Sequence, residues 1–169
     1  MSIRVFDQAF KQHPVAFIFQ SALAVVAIML LVLLHDLLSS VALIAALGAS
    51  CFVAFTMPHA SLSEPRKLVG GYVCGVSVGT ACYFLLQSGW LEHLGTDFQT
   101  ARIMLAGLGV GLAIFMMVIL DMEHAPAASI ALGLVLDRWH PWNVAYVLGG
   151  IIVLAALKQI LRPIMRDLI

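Results

Sequence analysis

The sequence has few charged residues, no net charge and few cysteines. Only 11% of its 169 residues are charged, whereas about a quarter are charged in typical water-soluble domains. The formal net charge is zero, so electrostatics do not favour a nucleic-acid partner. Cys51, Cys74 and Cys82 lie within apolar runs and form no CxxC pair. We therefore expect buried thiols rather than a disulfide framework, in a single domain covering residues 1–169.

Apolar residues, by contrast, make up 62% of the chain. A membrane-spanning helix needs about 20 apolar residues, within a range of about 17–25. Five segments approach or meet this length, at residues 15–34, 37–56, 68–86, 103–120 and 144–161. The short connections between them leave no room for a soluble domain. The sequence therefore predicts an all-α polytopic membrane protein in a lipid bilayer, with about five transmembrane helices, and with Lys158 extended towards the interface at the end of the last one.

A sixth apolar segment, residues 125–136, is too short to span a bilayer. As a helix it would rise roughly 16 Å, about half of the hydrocarbon core. It has no polar face that would let it lie at the interface, and Pro126 suits the first turn of a helix. We expect one re-entrant half-helix that enters and leaves on the same side, returning to the interface at Asp137 and Trp139. Irregular backbone at membrane depth requires burial in protein or a wet cavity, so the polar residues before this helix predict a cavity.

Basic residues suggest an orientation for the re-entrant topology. One side would carry more of them than the other, which by the positive-inside rule places the N-terminus in the cytoplasm, in a bacterial inner (plasma) membrane. The first side would hold Arg4, Lys11, Arg66, Lys67 and Arg138, and the second Arg102, Arg162 and Arg166. A complete crossing by residues 125–136 would move Arg162 and Arg166 to the cytoplasmic side and increase the asymmetry. The length of that segment nevertheless favours the re-entrant path.

The start of the half-helix offers donors to an anion. Its first N–H groups belong to Ala127, Ala128 and Ser129, whose small side chains would let an ion approach the backbone. A helix N-terminus carries about half a positive charge and binds anions readily. Ser129 would add a hydroxyl donor, and Ser50 a second one from another span. His124 would contribute a hydrogen bond, or a proton at a pH near 6.5 if its pKa is unshifted.

Two acidic residues flank this predicted anion site. Asp121 and Glu123 would repel an anion unless they pair with Arg66, with Arg138 or with a co-transported proton. Ionisable residues within a membrane favour a functional interpretation. The alternative is that both carboxylates lie among the lipid headgroups and that His124 merely caps the half-helix.

A degenerate repeat adds His59 to the candidate residues. Residues 55–61 and 121–129 both place His-Ala after an apolar helix, with a serine following. A metal site built from Asp121, Glu123, His124 and His59 is a rival interpretation, although the spacing matches no metal motif. A hydrolase using Ser129 and His124 lacks an evident triad. We therefore expect no enzymatic activity, no metal and no cofactor.

Small residues recur at helical spacing in two of the spans. Gly71, Gly75 and Gly79 lie in the third, and Gly107 and Gly111 in the fourth. Such rows let helix backbones approach closely. Three uses remain open from the sequence: packing within one chain, a subunit interface, or clearance for a permeating ion. We expect a homo-oligomer, most simply a dimer.

These motifs resemble those of the HPP family of small integral membrane proteins, named for a His-Pro-Pro motif that opens HPPAGATAL. The matching stretch is HAPAASIAL at residues 124–132. A second family feature, Gly-Ala-Ser followed by a spaced proline pair, a basic residue and Gly-Gly-His, corresponds to residues 48–50, Pro58, Pro65, Arg66 and residues 70–72. The resemblance covers about residues 15–161. The chain departs from the pattern at Ala125, Ala128, Ser129, Ile130 and Tyr72, where the family motifs have Pro, Gly, Ala, Thr and His.

The resemblance implies transport of nitrite or a similar small anion, because some plant and cyanobacterial members are nitrite transporters. We therefore expect a membrane transporter or channel for a small inorganic anion, which moves alone or together with a proton. The site residues would be His124, Pro126, Ala127, Ala128, Ser129, Ser50 and His59, with Asp121, Glu123, Arg66 and Arg138 in charge pairing or proton relay. The alternative is a membrane scaffold or subunit whose glycine faces bind partner helices.

Overall fold

The computed structural model describes residues 8–33, 40–93, 95–137 and 139–169, which form eight α-helices and, in these ranges, no strand. The helices are α1 (Gln8–Gln12), α2 (Pro14–Leu33), α3 (Val41–Thr56), α4 (Pro65–Gln87), α5 (Trp90–His93), α6 (Phe98–Ile119), α7 (Ala125–Leu136) and α8 (Pro141–Leu161). Pro14, Pro65 and Pro141 open three of them, where the missing N–H would have had no helical partner anyway. The Asp97 side chain starts α6 by accepting a hydrogen bond from the Thr100 N–H at 3.0 Å.

The predicted class, an all-α membrane protein, is confirmed. Each of the five predicted spans corresponds to an apolar helix, and the predicted half-helix corresponds to α7. Within the described residues, α4, α6 and the helical segment that begins with α8 are long and apolar enough to cross a membrane, whereas α2, α3 and α7 are apolar but shorter. All three cysteines are buried and free, as expected.

Four helices form a ring at the centre of the molecule. α3 packs on α7 and on α8, and α4 packs on the same two helices from the opposite side. α3 and α4 therefore face each other across the ring, as do α7 and α8. Outside the ring, α6 covers α4 and α7, and α2 covers α3.

The two ends of this ring can be named by their residues. At the Lys67 end, α3, α6 and α8 finish and α4 and α7 begin. Lys158 on α8 donates to the Ser63 carbonyl there at 2.9 Å, and the Leu168 N–H donates to the Thr56 carbonyl at 2.8 Å. At the Ser40 end, the Ser40 hydroxyl at the start of α3 donates to the Asp137 carboxylate at the end of α7.

The re-entrant path predicted for residues 125–136 is wrong. α7 begins beside Gly71 and runs along α4 in the same direction, so that Ala131 and Leu134 lie against Gly79. Trp139, just beyond α7, stacks on Tyr83 with ring centroids 5.9 Å apart. The chain thus leaves α7 at the Ser40 end, not at the Lys67 end where it entered. A helix of about 18 Å suffices because α7 packs against α3, α4 and α6. It therefore does not need the full apolar length of a helix that faces lipid.

This path changes the predicted topology of the C-terminal part. α8 runs back to the Lys67 end, so Arg162 and Arg166 lie at the same end as Arg66 and Lys67, and Arg102 lies at the opposite end. Arg4 and Arg138 are outside the described residues. Lys158 also differs from expectation: it does not extend to the interface but is 2% exposed and points into the protein.

The glycine row of α4 packs within the chain. A Cβ built on Gly75 would lie 2.4 Å from the Ala127 carbonyl oxygen, and one on Gly79 would lie 2.7 Å from the Ala131 Cα. These distances are far below van der Waals contact, so α7 can approach α4 this closely only because the residues are glycines. Gly107 and Gly111 on α6 behave differently, since a Cβ on either would meet nothing within 4 Å.

Candidate functional site

A buried serine joins three of the four ring helices. Ser50 on α3 is fully buried. Its Oγ lies 3.0 Å from the Ala46 carbonyl, 2.8 Å from the Tyr72 hydroxyl on α4 and 2.7 Å from Nε2 of His124, the residue that precedes α7. The structure therefore brings together Ser50 and His124, as predicted, and adds Tyr72. We call these three side chains the Ser50 cluster.

The number of available hydrogen atoms decides which group donates each hydrogen bond in the Ser50 cluster. Ser50 has one hydroxyl hydrogen, and the Ala46 carbonyl can only accept. All three contacts are hydrogen bonds only if Ser50 donates to Ala46, while the Tyr72 hydroxyl and the His124 Nε2–H both donate to Ser50. Two donors thus converge on one oxygen atom, and the second ring nitrogen of neutral His124 carries a lone pair.

The charge state of His124 differs from the sequence-based expectation. The residue lies between α6 and α7, outside the spanning helices, and it is 2% exposed. Burial lowers the pKa of its imidazole to about 4. The ring is therefore neutral at physiological pH, and the predicted titration near 6.5 is displaced towards acid.

The start of α7 is closed by internal contacts. The Ala127 N–H donates to the His124 carbonyl at 2.9 Å. Ser129 donates its hydroxyl hydrogen to the Pro126 carbonyl at 2.8 Å, within its own helix. Ala127 is fully buried, and Ala128 is 9% exposed. Two of the predicted donors, the Ala127 N–H and the Ser129 hydroxyl, are therefore already used inside the protein.

An ion cluster holds the connection between α6 and α7 at the Lys67 end. Lys67 contacts the Glu123 carboxylate at 2.9 Å and the Asp121 carboxylate at 3.2 Å. The hydrogen bond from Lys67 is the main reason why the pKa of Glu123 is lowered. Asp121 has a φ of 55°, a backbone conformation that is uncommon for a residue other than glycine.

The partners in this ion cluster differ from the predicted ones. Lys67, rather than Arg66, pairs with both carboxylates, and Arg66 instead donates to the Leu120 carbonyl at 2.9 Å. Arg138, the other predicted partner, lies outside the described residues. The acidic residues are thus neutralised at the surface, one residue before the buried His124.

His59 has a different environment from His124. Its Nδ1 lies 3.8 Å from the Asp167 carboxylate, and its backbone N–H donates to the same carboxylate at 2.9 Å. Its side chain is 41% exposed, whereas His124 is buried. The structure therefore places His59 against the C-terminal residues and not in the Ser50 cluster, contrary to the prediction from the repeat.

Tyr72 and Lys67 were missed as site residues by sequence reasoning. Both were visible in the second motif, where Tyr72 replaces the family histidine after Gly70-Gly71 and Lys67 follows Arg66. That replacement was the available signal, because a polar side chain two turns into an apolar helix must find a partner. The partner itself, Ser50, could not be read from sequence spacing.

An α-helical ring of apolar helices, with a buried polar cluster at its centre, defines an integral membrane protein. The family model described as the transmembrane region of HPP matches residues 10–166. The chain therefore belongs to the HPP family, as its two motifs predict. No curated protein and no solved structure matched the chain.

Proposed function

We propose that the protein is a transporter or channel that moves a small inorganic anion, such as nitrite, across the membrane. The observation that carries the proposal is the convergence of two neutral donors, the Tyr72 hydroxyl and the His124 Nε2–H, on one buried oxygen. An anion oxygen in place of Ser50 Oγ would accept both hydrogen bonds. Hydrogen bonds to a charged acceptor are stronger than those to a hydroxyl, so this exchange favours the anion.

The surroundings of the cluster suit an anion of small size. Glycines and alanines line the approach of α7 to α4, and Glu123, the residue before His124 in the sequence, is paired with Lys67. Binding requires the two donors to turn from Ser50 to the ligand. In this proposal the protein performs no catalytic step.

The proposal also includes coupling of anion binding to a proton. Because burial lowers the pKa of His124 to about 4, a proton reaches this ring mainly at acid pH. We propose that protonated His124 then adds a positive charge beside the anion. At neutral pH the anion would be held by uncharged donors alone.

Uptake into proteoliposomes tests the proposal. The purified protein is reconstituted in phosphatidylcholine vesicles, and uptake of nitrite, nitrate, formate and chloride is compared with that of protein-free vesicles. We expect Tyr72→Phe, which deletes only the hydroxyl, to raise the KM for the transported anion about tenfold, the usual loss for one hydrogen bond to a charged group. His59→Gln is the control and should leave uptake unchanged. Uptake no faster than in empty vesicles for all four anions would refute the proposal.

A specific observation favours the second candidate, a membrane scaffold or subunit. Gly107 and Gly111 are exposed on α6, with open space where a neighbouring helix could approach. A second copy of the chain would fit there, and we propose a homodimer through this face. Such an interface is compatible with transport and also with a protein whose only role is assembly.

A further inference from the structure

Lys158 is a buried cation in the last turn of α8. It is 2% exposed, and among the described residues it is the one Lys, Arg, Asp or Glu that is classed as buried. Burying an ammonium costs several kcal/mol unless a counter-charge and hydrogen bonds offset the loss of water. Its surroundings are therefore informative.

The ammonium of Lys158 is under-partnered. It has three N–H donors, and it donates one hydrogen bond, to the Ser63 carbonyl at 2.9 Å. Glu64 and Asp167 act on it only at longer range, and Asp167 accepts a hydrogen bond from the His59 N–H. In the part of the chain that the structure describes, no carboxylate oxygen lies within 4.0 Å of its Nζ.

Lys67 provides the contrast at the same end of the ring. It is less buried, with 14% of its side chain exposed, yet it contacts two carboxylates. The more buried of the two lysines is thus the one without a counter-ion, which is the reverse of what stability alone would favour.

Lys158 lies on the one ring helix that contributes no residue to the Ser50 cluster. The Ser50 cluster is built by α3, α4 and the start of α7, and Lys158 is contributed by α8, the fourth helix. It lies at the Lys67 end, beside the connection between α3 and α4. The C-terminal residues Met165 and Leu168 are buried at this end too.

We propose that Lys158 binds a small inorganic oxyanion, which supplies the missing counter-charge. The two remaining N–H groups of the ammonium would donate to the anion while the third holds the Ser63 carbonyl. This proposal rests on the proposed function, since it makes Lys158 the site that an anion occupies at the Lys67 end before or after the Ser50 cluster. The burial of Lys158 within the protein favours a free ion over a lipid headgroup.

Anion-dependent thermal stability tests the site without requiring transport. The protein is placed in nanodiscs of zwitterionic phosphatidylcholine, so that no anionic headgroup competes. Sodium nitrite, compared with sodium gluconate at equal concentration and neutral pH, should raise the Tm of the unsubstituted protein, because a ligand that binds only the folded state stabilises it. A weak site would have a Kd of about 1 mM. No rise in Tm at a nitrite concentration about 100 times that Kd would overturn the proposal.

Substitutions assign the effect to Lys158. Lys158→Met keeps the length of the side chain and removes the charge, and Lys158→Gln keeps a donor for Ser63. Either variant should lose the nitrite-dependent rise in Tm, and in uptake its KM should increase about tenfold or more. Arg102→Gln removes a cation from the opposite end of the ring; it is the control and should behave as the unsubstituted protein.

The outcomes separate this inference from the proposed function. If Lys158 only ties α8 to the connection between α3 and α4, both variants have a lower Tm but the same response to nitrite, and the inference is overturned. Uptake with an unchanged KM in Lys158→Met overturns it as well. Absence of uptake together with a Lys158-dependent rise in Tm refutes the transport proposal and supports the site.

Discussion

At the scale of single residues, the Ser50 cluster depends on which side chain carries each proton. Ser50 uses its only hydrogen on the Ala46 carbonyl, so Tyr72 and His124 must both act as donors. His124 can do this as a neutral ring, and its burial makes the neutral form the stable one. The cluster therefore presents donors without presenting a charge at neutral pH.

This arrangement predicts the pH range in which protonation of His124 affects anion binding. Burial lowers the pKa of the imidazole to about 4, so the protonated fraction is negligible above about pH 6 and rises as the pH falls towards 4. Binding of nitrate, which stays an anion in this range, should strengthen below about pH 5 because a positive charge appears beside it. Isothermal titration calorimetry between pH 4 and pH 8 measures the effect.

His124→Gln supplies the matched comparison, because it keeps a donor but does not titrate. It should remove the strengthening at acid pH and leave the affinity near pH 7 within about threefold, a difference smaller than one hydrogen bond. His59→Gln should retain the acid response. A change centred near pH 6.5 that disappears in His124→Gln would show that the ring is far less desolvated than its burial implies.

At the scale of helices, the contact between α4 and α7 is set by glycine. α7 carries few groups that would fix its position, since its residues are apolar on all sides. What selects its place is the groove on α4, where Gly71, Gly75 and Gly79 allow the backbones to meet. The same groove brings His124 to the level of Tyr72.

A comparison of Gly75→Ala with Gly107→Ala should distinguish this packing role from the general effect of a glycine within a helix. In Gly75→Ala the new Cβ would lie 2.4 Å from the Ala127 carbonyl oxygen, so the helices must move apart, at a cost of about 1–3 kcal/mol. Gly107→Ala meets nothing within 4 Å and should leave stability equal or slightly higher. Thermal unfolding in one detergent compares them; equal Tm values would contradict the close approach.

The path of α7 predicts which residues share a side of the membrane. His140, exposed at the start of α8, belongs to the Ser40 end, and Asp167, exposed beyond α8, belongs to the Lys67 end. The positive-inside rule predicts that the Lys67 end faces the cytoplasm. A membrane-impermeant maleimide applied to intact cells should therefore label His140→Cys and spare both Asp167→Cys and Ser61→Cys. Ser61 is exposed in the connection between α3 and α4, at the Lys67 end.

The unsubstituted protein is a suitable blank for this labelling, because its three cysteines are buried. His140 and Asp167 lie on opposite sides on either path, because α8 separates them, so Ser61→Cys decides the path of α7. Labelling of His140→Cys and Ser61→Cys from the same side would restore the re-entrant path. Labelling of Ser61→Cys and Asp167→Cys without His140→Cys would preserve the path and reverse the orientation.

At the scale of the whole molecule, the outer side of α6 is one of the apolar faces that the described residues leave exposed. Gly107 and Gly111 lie on the outer side of α6, among exposed side chains such as Met104, Leu108 and Phe115. Small residues on an exposed membrane helix permit close approach of another helix. This is the face through which we propose that the homodimer forms.

Gly111→Leu tests this association with little risk to the fold, since a Cβ there meets nothing within 4 Å. We expect the unsubstituted protein to appear as a dimer by native mass spectrometry from mild detergent, and Gly111→Leu to shift towards monomer. Gly48→Leu, also in open space but on α3, should remain dimeric. A monomer in several detergents for the unsubstituted protein would argue against a homodimer.

The amino-acid sequence by itself determined the class of protein, the helices and the family. Long apolar runs, prolines at helix starts and the motifs at residues 48–72 and 124–132 are local features, and local features decide where a helix begins and whether it prefers lipid. Ser50 was also identifiable, because a serine within such a run stands out, and so was His124, because it lies between two apolar runs.

Only the tertiary structure decided the direction of α7, the partner of each charge and the membership of the cluster. Length alone made residues 125–136 a half-helix, but a short helix inside a ring of helices has protein, not lipid, at its ends, so length does not determine its path. Lys67 pairs with Asp121 and Glu123, and Tyr72 with Ser50, across separations that no spacing rule spans. Lys158 points inward for the same reason: which face of α8 meets the ring depends on packing between helices that are distant in the chain.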